Sequence, residues 1–466
     1  MNKVDVAQHL DNIAEDYQKW VKKADYYFTR IRELFATFVP PGSDVLEIGT
    51  GSAGVLSSLR PQKGTCIGLS REMVRRAQEE YPELSFKYGG VEQLDGGQKY
   101  DYIIIQDVLE HLTDIWATIN ELHAVGKPTT MVVVSFVNPI WEPILRVGEM
   151  LRMKMPEGPH NWMQLDDVVA LFRLAGFEIQ ETGYRVLLPI CIPFISDLLN
   201  KVAPLVPGLK KLCVVQYLVA KAVPQVLTSR NFSCSVIIPC FNEEENIEKC
   251  IRRLPNMGRD TEVIVVDDGS TDGTATVVSQ LIGEYENLKL ISYWPNRGKG
   301  GAVKAGFDAA LGDVIMVLDA DMAVPPEELP RFFEVIDKGM ADFANGTRMI
   351  YPQEKQAMRH LHRLGNRIFS LIFTWLLASR VTDTLCGTKA LRREDYRHIE
   401  MGHCPWGDFD LLIGAAKLGL KIGEMPVHYK ARVAGESKMK TFRHGLQLLR
   451  MALYGFRKLK WAKIGL

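Results

Sequence analysis

The sequence predicts an α/β protein made of two Rossmann-like domains in series. Its 466 residues exceed the usual length of one domain, so two or three domains are expected. Each half of the chain opens with a buried-strand pattern that runs into glycines or acids, at residues 44–54 and 235–244. After each opening, short apolar runs alternate with helical patterns, which is typical of mostly parallel sheets covered by helices.

The predicted strands fall into two sets separated by one irregular segment. Residues 224–232 interrupt the alternation before the second set begins, so we place the domains at residues 1–228 and 229–466. The mainly apolar runs that predict strands are residues 45–48, 102–105, 131–136, 236–238, 262–266 and 314–318.

Composition limits the class of protein. Hydrophobic residues make up 47% and charged residues 24% of the chain, which excludes a disordered or fibrous protein. Lys plus Arg and Asp plus Glu number 56 each, so no overall positive charge favours a nucleic-acid partner. The eight cysteines include no Cys-x-x-Cys pair, which argues against a zinc module and for reduced thiols in the cytoplasm. Neither a signal peptide nor a membrane-spanning helix is expected.

A glycine-rich turn follows the first predicted strand. The pattern Glu-x-Gly-x-Gly-x-x-Gly begins at Glu47, and such a turn lets a ligand approach the N-terminus of the next helix. Further along, the run 100–105 leads into Asp-Val-Leu-Glu-His-Leu at 107–112. Together these segments resemble the class I S-adenosylmethionine-dependent methyltransferases over roughly residues 20–190. The resemblance implies a class I methyltransferase fold with S-adenosylmethionine as cofactor, held by Glu47, Gly49, Gly51, Gly54 and Asp107.

Two positions of the first half depart from that family. The resemblance places one acid near the ribose and another near the adenine, but this chain has Gly68 and Gly90 there. A hydrogen bond to a charged group contributes about 1.5–3 kcal/mol, so weak cofactor binding is expected, and an aspartate at position 68 is expected to strengthen it. Two interpretations stay open, a working methyltransferase or a retained fold that serves as a docking module without catalysis.

Four segments of the second half place polar residues where strands are predicted to end. They are residues 239–244, 263–274, 296–302 and 317–321. Ligands of open α/β sheets bind at this edge, where acids can accept hydrogen bonds from a base and a ribose. The Asp-x-Asp of the last segment brings two carboxylates to one divalent cation, which in turn binds a diphosphate. A lysine in the glycine loop can meet anionic oxygen.

In this order the four segments resemble the family 2 glycosyltransferases with the GT-A fold, over about residues 233–440. The resemblance implies a nucleotide-sugar donor and a Mg²⁺ or Mn²⁺ ion held by Asp319 and Asp321. The residues that it implies for donor binding are Pro239, Asn242, Glu243, Asp267, Asp268, Lys299 and Asp319.

Three downstream segments narrow the type of transferase. Residues 382–389, 407–410 and 432–438 look like the dolichol- and polyprenyl-phosphate mannosyltransferase branch, in which the last segment holds phosphate. The chain departs from the branch just after residue 410, where two leucines follow, so the acceptor-side carboxylate is either Asp408 or Asp410. The catalytic residues that the resemblance implies are Asp321, Asp408, Asp410, Arg432 and Lys438.

The predicted reaction is a metal-dependent, inverting transfer of mannose or glucose from a nucleotide-sugar to a polyprenyl or dolichyl phosphate. A lipid phosphate is already an anion at neutral pH and needs no strong general base, whereas a sugar hydroxyl would need one. The alternative is a glycosyltransferase that acts on a sugar hydroxyl in surface-glycan synthesis, with the first half methylating the same glycan.

Two apolar segments of the second half favour a membrane surface. Residues 440–466 contain seven Lys or Arg, no acid, and apolar residues at intervals of three or four, which is typical of a helix lying on an anionic bilayer. Residues 368–378 form an apolar run too short to span a membrane. Packing of either segment within the domain is the alternative. We predict a cytoplasmic enzyme bound peripherally to the membrane.

Overall fold

Two compact units make up the chain. In the computed structural model, residues 3–49, 51–94, 97–156, 158, 161–223, 228–351, 360–430 and 441–461 are described. The units are Met1–Gln225 and Val226–Leu466, and each is built around one seven-stranded sheet. The predicted fold class, two α/β domains in series, is confirmed.

The first unit alternates strands with helices. Its strands are β1 Asp44–Gly49, β2 Lys63–Gly68, β3 Ser85–Tyr88, β4 Tyr100–Gln106, β5 Gly126–Val137, β6 Phe177–Arg185 and β7 Val215–Ala222. Its α-helices are α1 Lys3–Lys23, α2 Asp25–Phe38, α3 Gly54–Ser58, α4 Arg71–Glu80, α5 Ile115–Val125, α6 Glu142–Met150, α7 Leu165–Leu174, α8 Ile195–Val202 and α9 Pro207–Lys210. Short 3₁₀ turns lie at Val91–Gln93, Leu109–His111, Pro139–Trp141 and Ala203–Leu205.

The first sheet has the order β3-β2-β1-β4-β5-β7-β6. Strands β1 to β5 pair in parallel, whereas β7 runs antiparallel to both β5 and β6. The chain moves outward from β1 in one direction to β3 and then returns to add β4 on the other side. The carboxyl ends of β1 and β4 therefore flank a topological switch point, where ligands of such sheets bind.

The second unit repeats this plan with a different arrangement at one edge. Its strands are β8 Cys234–Cys240, β9 Thr261–Asp267, β10 Leu288–Ser292, β11 Val314–Val317, β12 Phe343–Thr347, β13 Lys389–Arg392 and β14 Ile422–Pro426. Its α-helices are α10 Glu244–Arg252, α11 Thr274–Ile282, α12 Gly298–Ala309, α13 Leu329–Asp337, α14 His360–Leu377, α15 Arg393–Tyr396, α16 Asp408–Lys417 and α17 Thr441–Leu459. A 3₁₀ turn lies at Pro326–Glu328.

The second sheet has the order β10-β9-β8-β11-β13-β12-β14. Strands β8 to β11 are parallel, β13 is antiparallel to β11 and β12, and β14 pairs in parallel with β12. The switch point lies between β8 and β11, because the chain steps outward from β8 to β10 before β11 returns to its other side. This geometry brings the predicted donor segments to one edge of the sheet.

Most of the two segments predicted to contact a membrane, residues 368–378 and 440–466, falls in α14 and α17, which pack together, while residues 440 and 462–466 lie outside the described residues. Their inner faces join the core of the unit through Phe373, Leu376, Leu448 and Leu459. Other apolar residues on the same helices are half exposed or more, namely Leu371 (74%), Trp375 (58%), Leu449 (50%) and Leu453 (58%). In the part of the chain that the structure describes, no helix combines the length and the apolarity that crossing a bilayer requires.

Candidate functional site

A cavity of about 480 Å³ opens at the carboxyl edge of the second sheet. Its wall includes the carboxyl end of β8, the first turns of α12 and α16, and residues 385–387. Six of the residues implied for the donor or the metal line it, namely Pro239, Glu243, Asp268, Lys299, Asp319 and Asp321. Asn242 and Asp267 are not part of the described wall.

An ion pair joins the glycine-rich segment 296–302 of the second unit to the Asp-x-Asp turn at residues 319–321. Lys299 lies in the first turn of α12, and its Nζ is 2.6 Å from Oδ1 of Asp319. Burial alone would lower the pKa of Lys299, but the nearby carboxylates, with Asp319 the strongest, outweigh burial and raise the pKa above its ordinary value. Lys299 therefore stays charged among the acids and can meet an anionic oxygen of a ligand.

Gly387 closes over this ion pair. A Cβ atom at this position would lie 2.5 Å from Nζ of Lys299 and closer still to the carboxylate of Asp319. Only glycine leaves the pair where it is, which gives a physical reason for the glycine between Cys386 and Thr388.

Asp321 is the better placed of the two candidate metal ligands. It is 8% exposed, and its Oδ1 accepts a hydrogen bond of 3.1 Å from the N–H of Ala323, whereas Asp319 is held by Lys299. Among the described residues, no three His, Cys, Asp or Glu side chains are grouped to hold a metal ion. Carboxylate oxygens suit Mg²⁺ or Mn²⁺, and Mg²⁺ commonly takes only one or two carboxylates with substrate phosphates completing its ligands. The residues present fit that arrangement.

The two neighbouring acids at the end of β9 have different surroundings. Asp268 is 3% exposed, lines the cavity, and accepts a hydrogen bond of 2.7 Å from the N–H of Arg297. The carboxylate of Asp267 instead accepts hydrogen bonds from the N–H of Ser270 at 3.0 Å and the hydroxyl of Ser292 at 2.8 Å. Asp268 is thus available to a nucleoside, while Asp267 shapes the loop that carries it.

Hydrogen bonds connect the segment that follows β8 to the segment that follows β9. Asn242 has a left-handed backbone with φ of 55°, and its Oδ1 accepts a hydrogen bond of 2.8 Å from the N–H of Thr271. Glu243 remains on the cavity wall, where its carboxylate accepts a 2.8 Å hydrogen bond from Nδ2 of Asn246. The predicted donor residues therefore include both wall residues and residues that position them.

Asp408 and Asp410 point to different surroundings from the first turn of α16. Asp408 lines the cavity, and its Oδ1 lies 3.1 Å from Nζ of the fully buried Lys389. Asp410 is not part of the described wall, and its Oδ2 accepts three backbone hydrogen bonds of 2.9–3.0 Å from residues 402–404. Burial raises the pKa of Asp410, although those hydrogen bonds oppose the shift. Its surroundings favour a structural role.

The structure adds a buried ion pair that the sequence did not indicate. Arg348 lines the cavity and binds Asp383 through two bonds, Nε to Oδ2 at 2.5 Å and Nη2 to Oδ1 at 2.8 Å. Burial alone would raise the pKa of Asp383, but the guanidinium outweighs it and lowers the pKa below its ordinary value. The two residues are 35 positions apart, so no local pattern links them.

Two predicted catalytic residues, Arg432 and Lys438, lie outside the described residues. Their assignment to the acceptor phosphate stays a prediction. Thr50, within the glycine turn of the first unit, also lies outside the described residues.

The first unit has a cavity of about 690 Å³ at the carboxyl end of β4. Asp107 and His111 line it together with Tyr17 and Tyr27 from the first two helices, and most of the remaining wall is apolar. Asp107 has a left-handed φ of 45°, and its carboxylate accepts hydrogen bonds from the hydroxyls of Tyr27 at 3.1 Å and Ser135 at 2.9 Å. This part of the predicted cofactor set therefore faces a cavity.

The glycine turn lies at the end of β1 and is not part of the described cavity wall. Glu47 is 1% exposed and accepts a hydrogen bond of 2.8 Å from the N–H of Leu56. Burial raises the pKa of Glu47 to about 7, although that hydrogen bond opposes the shift. Gly49 ends β1, Gly51 follows with φ of 103°, and Gly54 begins α3.

Position 68 has no room for a side chain. A Cβ atom there would lie 2.5 Å from Cα of Gly51 and 2.8 Å from Cγ2 of Val74. Because the first contact is with backbone, the glycine turn would have to move to admit any larger residue. This packing argues against the expectation that an aspartate at position 68 strengthens cofactor binding.

A carboxylate does lie near the end of β2, and it comes from α1. Oδ1 of Asp11 accepts hydrogen bonds from the hydroxyl of Ser70 at 2.5 Å and from the N–H of Glu72 at 3.1 Å. Ser70 in turn begins α4 by accepting from the N–H of Met73. The sequence did not indicate this contact, because about sixty residues separate its partners.

Comparisons with known proteins find matches to both units. Residues 17–182 match a family model described as a methyltransferase domain, and residues 235–400 match the glycosyl transferase family 2 model. The magnesium protoporphyrin IX methyltransferase of Synechocystis, solved with bound SAH, aligns with a TM-score of 0.35 and 17% identity, covering 47% of this chain and 100% of that one.

Two curated relatives are similar to about half of the chain. The dolichol-phosphate mannosyltransferase of Pyrococcus furiosus is 33% identical over 233 residues, which are 49% of this chain and 64% of the relative. The undecaprenyl-phosphate 4-deoxy-4-formamido-L-arabinose transferase of an Enterobacter species is 34% identical over 217 residues, 45% of this chain and 63% of the relative. The chain thus spans less than two thirds of either relative. Its similarity to known families is thus to a methyltransferase domain over residues 17–182 and to glycosyl transferase family 2 over residues 235–400.

Proposed function

We propose that the second unit is a metal-dependent, inverting glycosyltransferase that moves mannose or glucose from a nucleotide-sugar to a polyprenyl or dolichyl phosphate. The observation that carries the proposal is the meeting of Lys299, Asp319 and Asp321 in one cavity at the carboxyl edge of the sheet. The names of the two relatives, which specify a dolichol phosphate and an undecaprenyl phosphate, support this class of acceptor.

The charge of the cavity wall supports metal dependence. Five acids and two bases line its described part, namely Glu243, Asp268, Asp319, Asp321 and Asp408 with Lys299 and Arg348. A nucleoside diphosphate adds negative charge to this acidic wall, so its binding calls for a cation. Mg²⁺ or Mn²⁺ bound to Asp321 and to phosphate oxygens would supply Lewis-acid stabilisation of the leaving diphosphate.

The residues of the chain have separate roles in the proposed displacement. A phosphate oxygen of the acceptor attacks the anomeric carbon, the bond from that carbon to the diphosphate oxygen breaks, and the configuration inverts. Lys299 stabilises charge that grows on the leaving diphosphate, which lowers the barrier because that charge is larger in the transition state. Asp268 holds the nucleoside, and Gly387 keeps the cavity open above the ion pair.

The surroundings of the two acceptor-side acids favour an anionic acceptor. Asp408 is paired with Lys389, and Asp410 is committed to three backbone amides. A hydroxyl acceptor would require a general base within reach of its proton, whereas a phosphate monoester already carries the attacking oxygen as an anion. These contacts favour the lipid phosphate over a sugar hydroxyl of a surface glycan.

Peripheral membrane binding through α14 and α17 completes the proposal. The exposed leucines and Trp375 form an apolar surface beside basic residues such as Lys460, whose Nζ lies 5.4 Å from the Trp375 ring. Basic and apolar side chains on one face suit the surface of an anionic bilayer. A cytoplasmic enzyme bound there would meet a lipid acceptor in its own membrane.

Transfer of radiolabelled sugar tests the proposal directly. GDP-mannose and UDP-glucose are each incubated with polyprenyl phosphate and Mg²⁺ or Mn²⁺, with an EDTA control, and the lipid fraction is counted. A glycosyl phosphate hydrolyses in mild acid, whereas an ordinary glycoside does not, so acid lability of the product separates the two acceptor classes. Absence of any lipid-linked product from a broad donor panel would exclude the proposed acceptor.

Substitution of Asp321 tests the metal assignment. We expect Asp321→Asn to lower the transfer rate by at least about 10²-fold, the scale seen when charge stabilisation of a transition state is removed. Asp260→Asn makes the same chemical change at a carboxylate that is 81% exposed and should leave the rate unaltered. Near-wild-type transfer by the Asp321 variant would contradict the assignment.

For the first unit, we propose weak binding of S-adenosylmethionine, with methyl transfer as the activity to be tested. Asp107 and His111 on the wall of the larger cavity support a ligand there. Titration calorimetry with the full chain measures the affinity. A dissociation constant in the low micromolar range or below would contradict weak binding. No detectable binding at the highest concentration of S-adenosylmethionine tested would favour a docking module.

A further inference from the structure

The first unit exposes an apolar surface that the proposed functions do not use. Part of it comes from residues 139–156, which form a 3₁₀ turn, α6 and the loop after it. Its exposed members include Met150 at 82% and Met153 at 66%. The others are Ile140, Ile144, Val147 and Leu151, each more than half exposed.

A second segment, residues 186–213, supplies the rest. It contains α8 and α9 and includes Phe194 at 91%, Leu205 at 80% and Leu198 at 62% exposure. Phe194 has a left-handed φ of 63°, an unusual conformation for a bulky residue. The single acid in this segment, Asp197, accepts a 2.8 Å hydrogen bond from the hydroxyl of Tyr26.

The two segments lie side by side. Nε1 of Trp141 donates to the carbonyl oxygen of Leu212 at 2.7 Å, and Nδ2 of Asn138 donates to the carbonyl oxygens of Lys211 and Cys213 at 2.9 Å. We call the exposed apolar side chains of residues 139–156 and 186–213 the lipid patch. Monomeric soluble proteins rarely expose so many large apolar side chains together, and such surfaces usually mark a binding site.

The lipid patch borders the larger cavity. Leu145 and Met153 from the first segment line it, as do Pro189, Ile190 and Cys191 from the second. The cavity wall and the lipid patch therefore share side chains, Met153 and Ile190 among them.

We propose that the lipid patch seats the first unit on an anionic bilayer. The two segments together carry six basic residues against three acids, which complements anionic headgroups. The basic residues are Arg146, Arg152, Lys154, Lys201, Lys210 and Lys211, and the acids are Glu142, Glu149 and Asp197. Apolar helices with basic neighbours bind such surfaces in proportion to their buried apolar area and to this attraction. The proposal is independent of glycosyl transfer, which belongs to the second unit.

One cysteine provides a local probe. Cys191 is exposed within the lipid patch, whereas the other seven cysteines are buried. The full chain is labelled there with an environment-sensitive fluorophore and mixed with vesicles of phosphatidylcholine and phosphatidylglycerol, or of phosphatidylcholine alone. We expect a rise of at least threefold in emission with a blue shift on the anionic vesicles, and a smaller change on the neutral ones or in high salt.

Matched variants separate the lipid patch from α14 and α17. Phe194→Asp combined with Leu205→Asp should lower vesicle affinity reported at Cys191 at least tenfold, since both side chains are exposed and their loss leaves the core intact. Leu371→Asp combined with Leu453→Asp should leave the Cys191 response in place. Leu311→Asp, at a leucine of the second unit that is 64% exposed, is the control for adding an acid, and melting temperatures verify folding.

Three outcomes would overturn the proposal. Vesicle flotation without any change at Cys191 would mean that the membrane is met elsewhere. An emission change that depends on protein concentration and not on vesicles would assign the surface to a second copy of the chain. A probe that is already shielded from solvent quenchers, and stays unchanged with vesicles, would show that another part of the chain covers the surface.

Discussion

Replacing Gly387 by alanine tests whether the pair of Lys299 and Asp319 serves the reaction rather than the fold. The new Cβ atom would meet only the ends of these two side chains and no backbone atom among its nearest neighbours. Side-chain ends move easily, so the fold has little to lose. The same movement displaces the two charged groups that we propose to meet the donor diphosphate.

The size of the effect follows from the distances. The Cβ atom would lie 2.3 Å from Oδ2 of Asp319 and 2.5 Å from Nζ of Lys299, whereas ordinary contact begins near 3.4 Å, so the pair must shift by about 1 Å. A misplacement of about 1 Å in a catalytic site can cost about 10²-fold in rate, or roughly 2.7 kcal/mol of transition-state stabilisation. The cost in stability should stay near about 1 kcal/mol, the lower end for overpacking.

The assay compares kcat/KM for transfer from radiolabelled donor with the melting temperature of the same preparation. Gly283→Ala is the matched control, because a Cβ there has its nearest neighbour at 3.6 Å and the backbone is helical, with φ of −68°. We expect the control to retain both activity and stability. If Gly387→Ala kept kcat/KM within about threefold of the wild type while folding normally, the role of the ion pair in donor binding would be refuted.

Three further predictions concern burial. The pKa of Glu47 is raised to about 7 in the folded unit, so its ionisation lowers the stability as the pH rises from about 4.5 to 7. Glu47→Gln should therefore raise the free energy of unfolding by up to about 3 kcal/mol at pH 8 and by almost nothing at pH 4. Equal shifts of the melting temperature at both pH values would contradict this. Arg348→Met leaves the buried Asp383 without its cation and should cost about 3–5 kcal/mol in denaturant unfolding, so a loss below about 1 kcal/mol would argue against the pair. Gly68→Asp should destabilise by about 1–3 kcal/mol and weaken S-adenosylmethionine binding measured by calorimetry, because its Cβ meets the backbone of Gly51; tighter binding would contradict that packing.

The fold was predictable because both sheets rest on local patterns. Runs such as 103–105 and 236–238 are apolar at consecutive positions, and they lie in buried strands of the two sheets. The polar residues that follow them lie at the carboxyl edge of their sheet, as the alternation of strand and helix requires. The antiparallel placement of β7 and β13 was not predictable, since pairing direction depends on contacts between distant segments.

Helical geometry explains why the choice between Asp408 and Asp410 stayed open. Both residues lie in the first turn of α16, where successive residues of an α-helix are about 100° apart. Positions i and i+2 therefore face directions about 200° apart around the helix axis. Only one of them can face the cavity, and the structure assigns that direction to Asp408. The sequence pattern predicted both acids as candidates, but it could not predict the rotation of the helix about its axis.

Helix α17 shows again that a sequence pattern does not give the orientation of a helix. Apolar residues repeat along α17, but the face that contains Leu448 and Leu459 enters the core, while Leu449 and Leu453 stay exposed. One face of this helix therefore packs on the unit, while membrane binding through the exposed leucines stays a prediction. A sequence period detects the helix, whereas the orientation depends on what packs against it.

The glycines of the first unit show why a missing acid is not a simple loss. Gly68 and Gly51 approach each other closely enough to exclude a side chain at position 68, so the absent carboxylate and the tight glycine turn are one packing feature. Meanwhile Asp11 brings a carboxylate to Ser70, at the start of α4 and near the end of the same strand. A comparison of sequence positions counts an acid as lost from β2, but the chain places another acid nearby from α1. The presence of a carboxylate near the end of β2 therefore depends on how α1 packs, more than on which residue ends that strand.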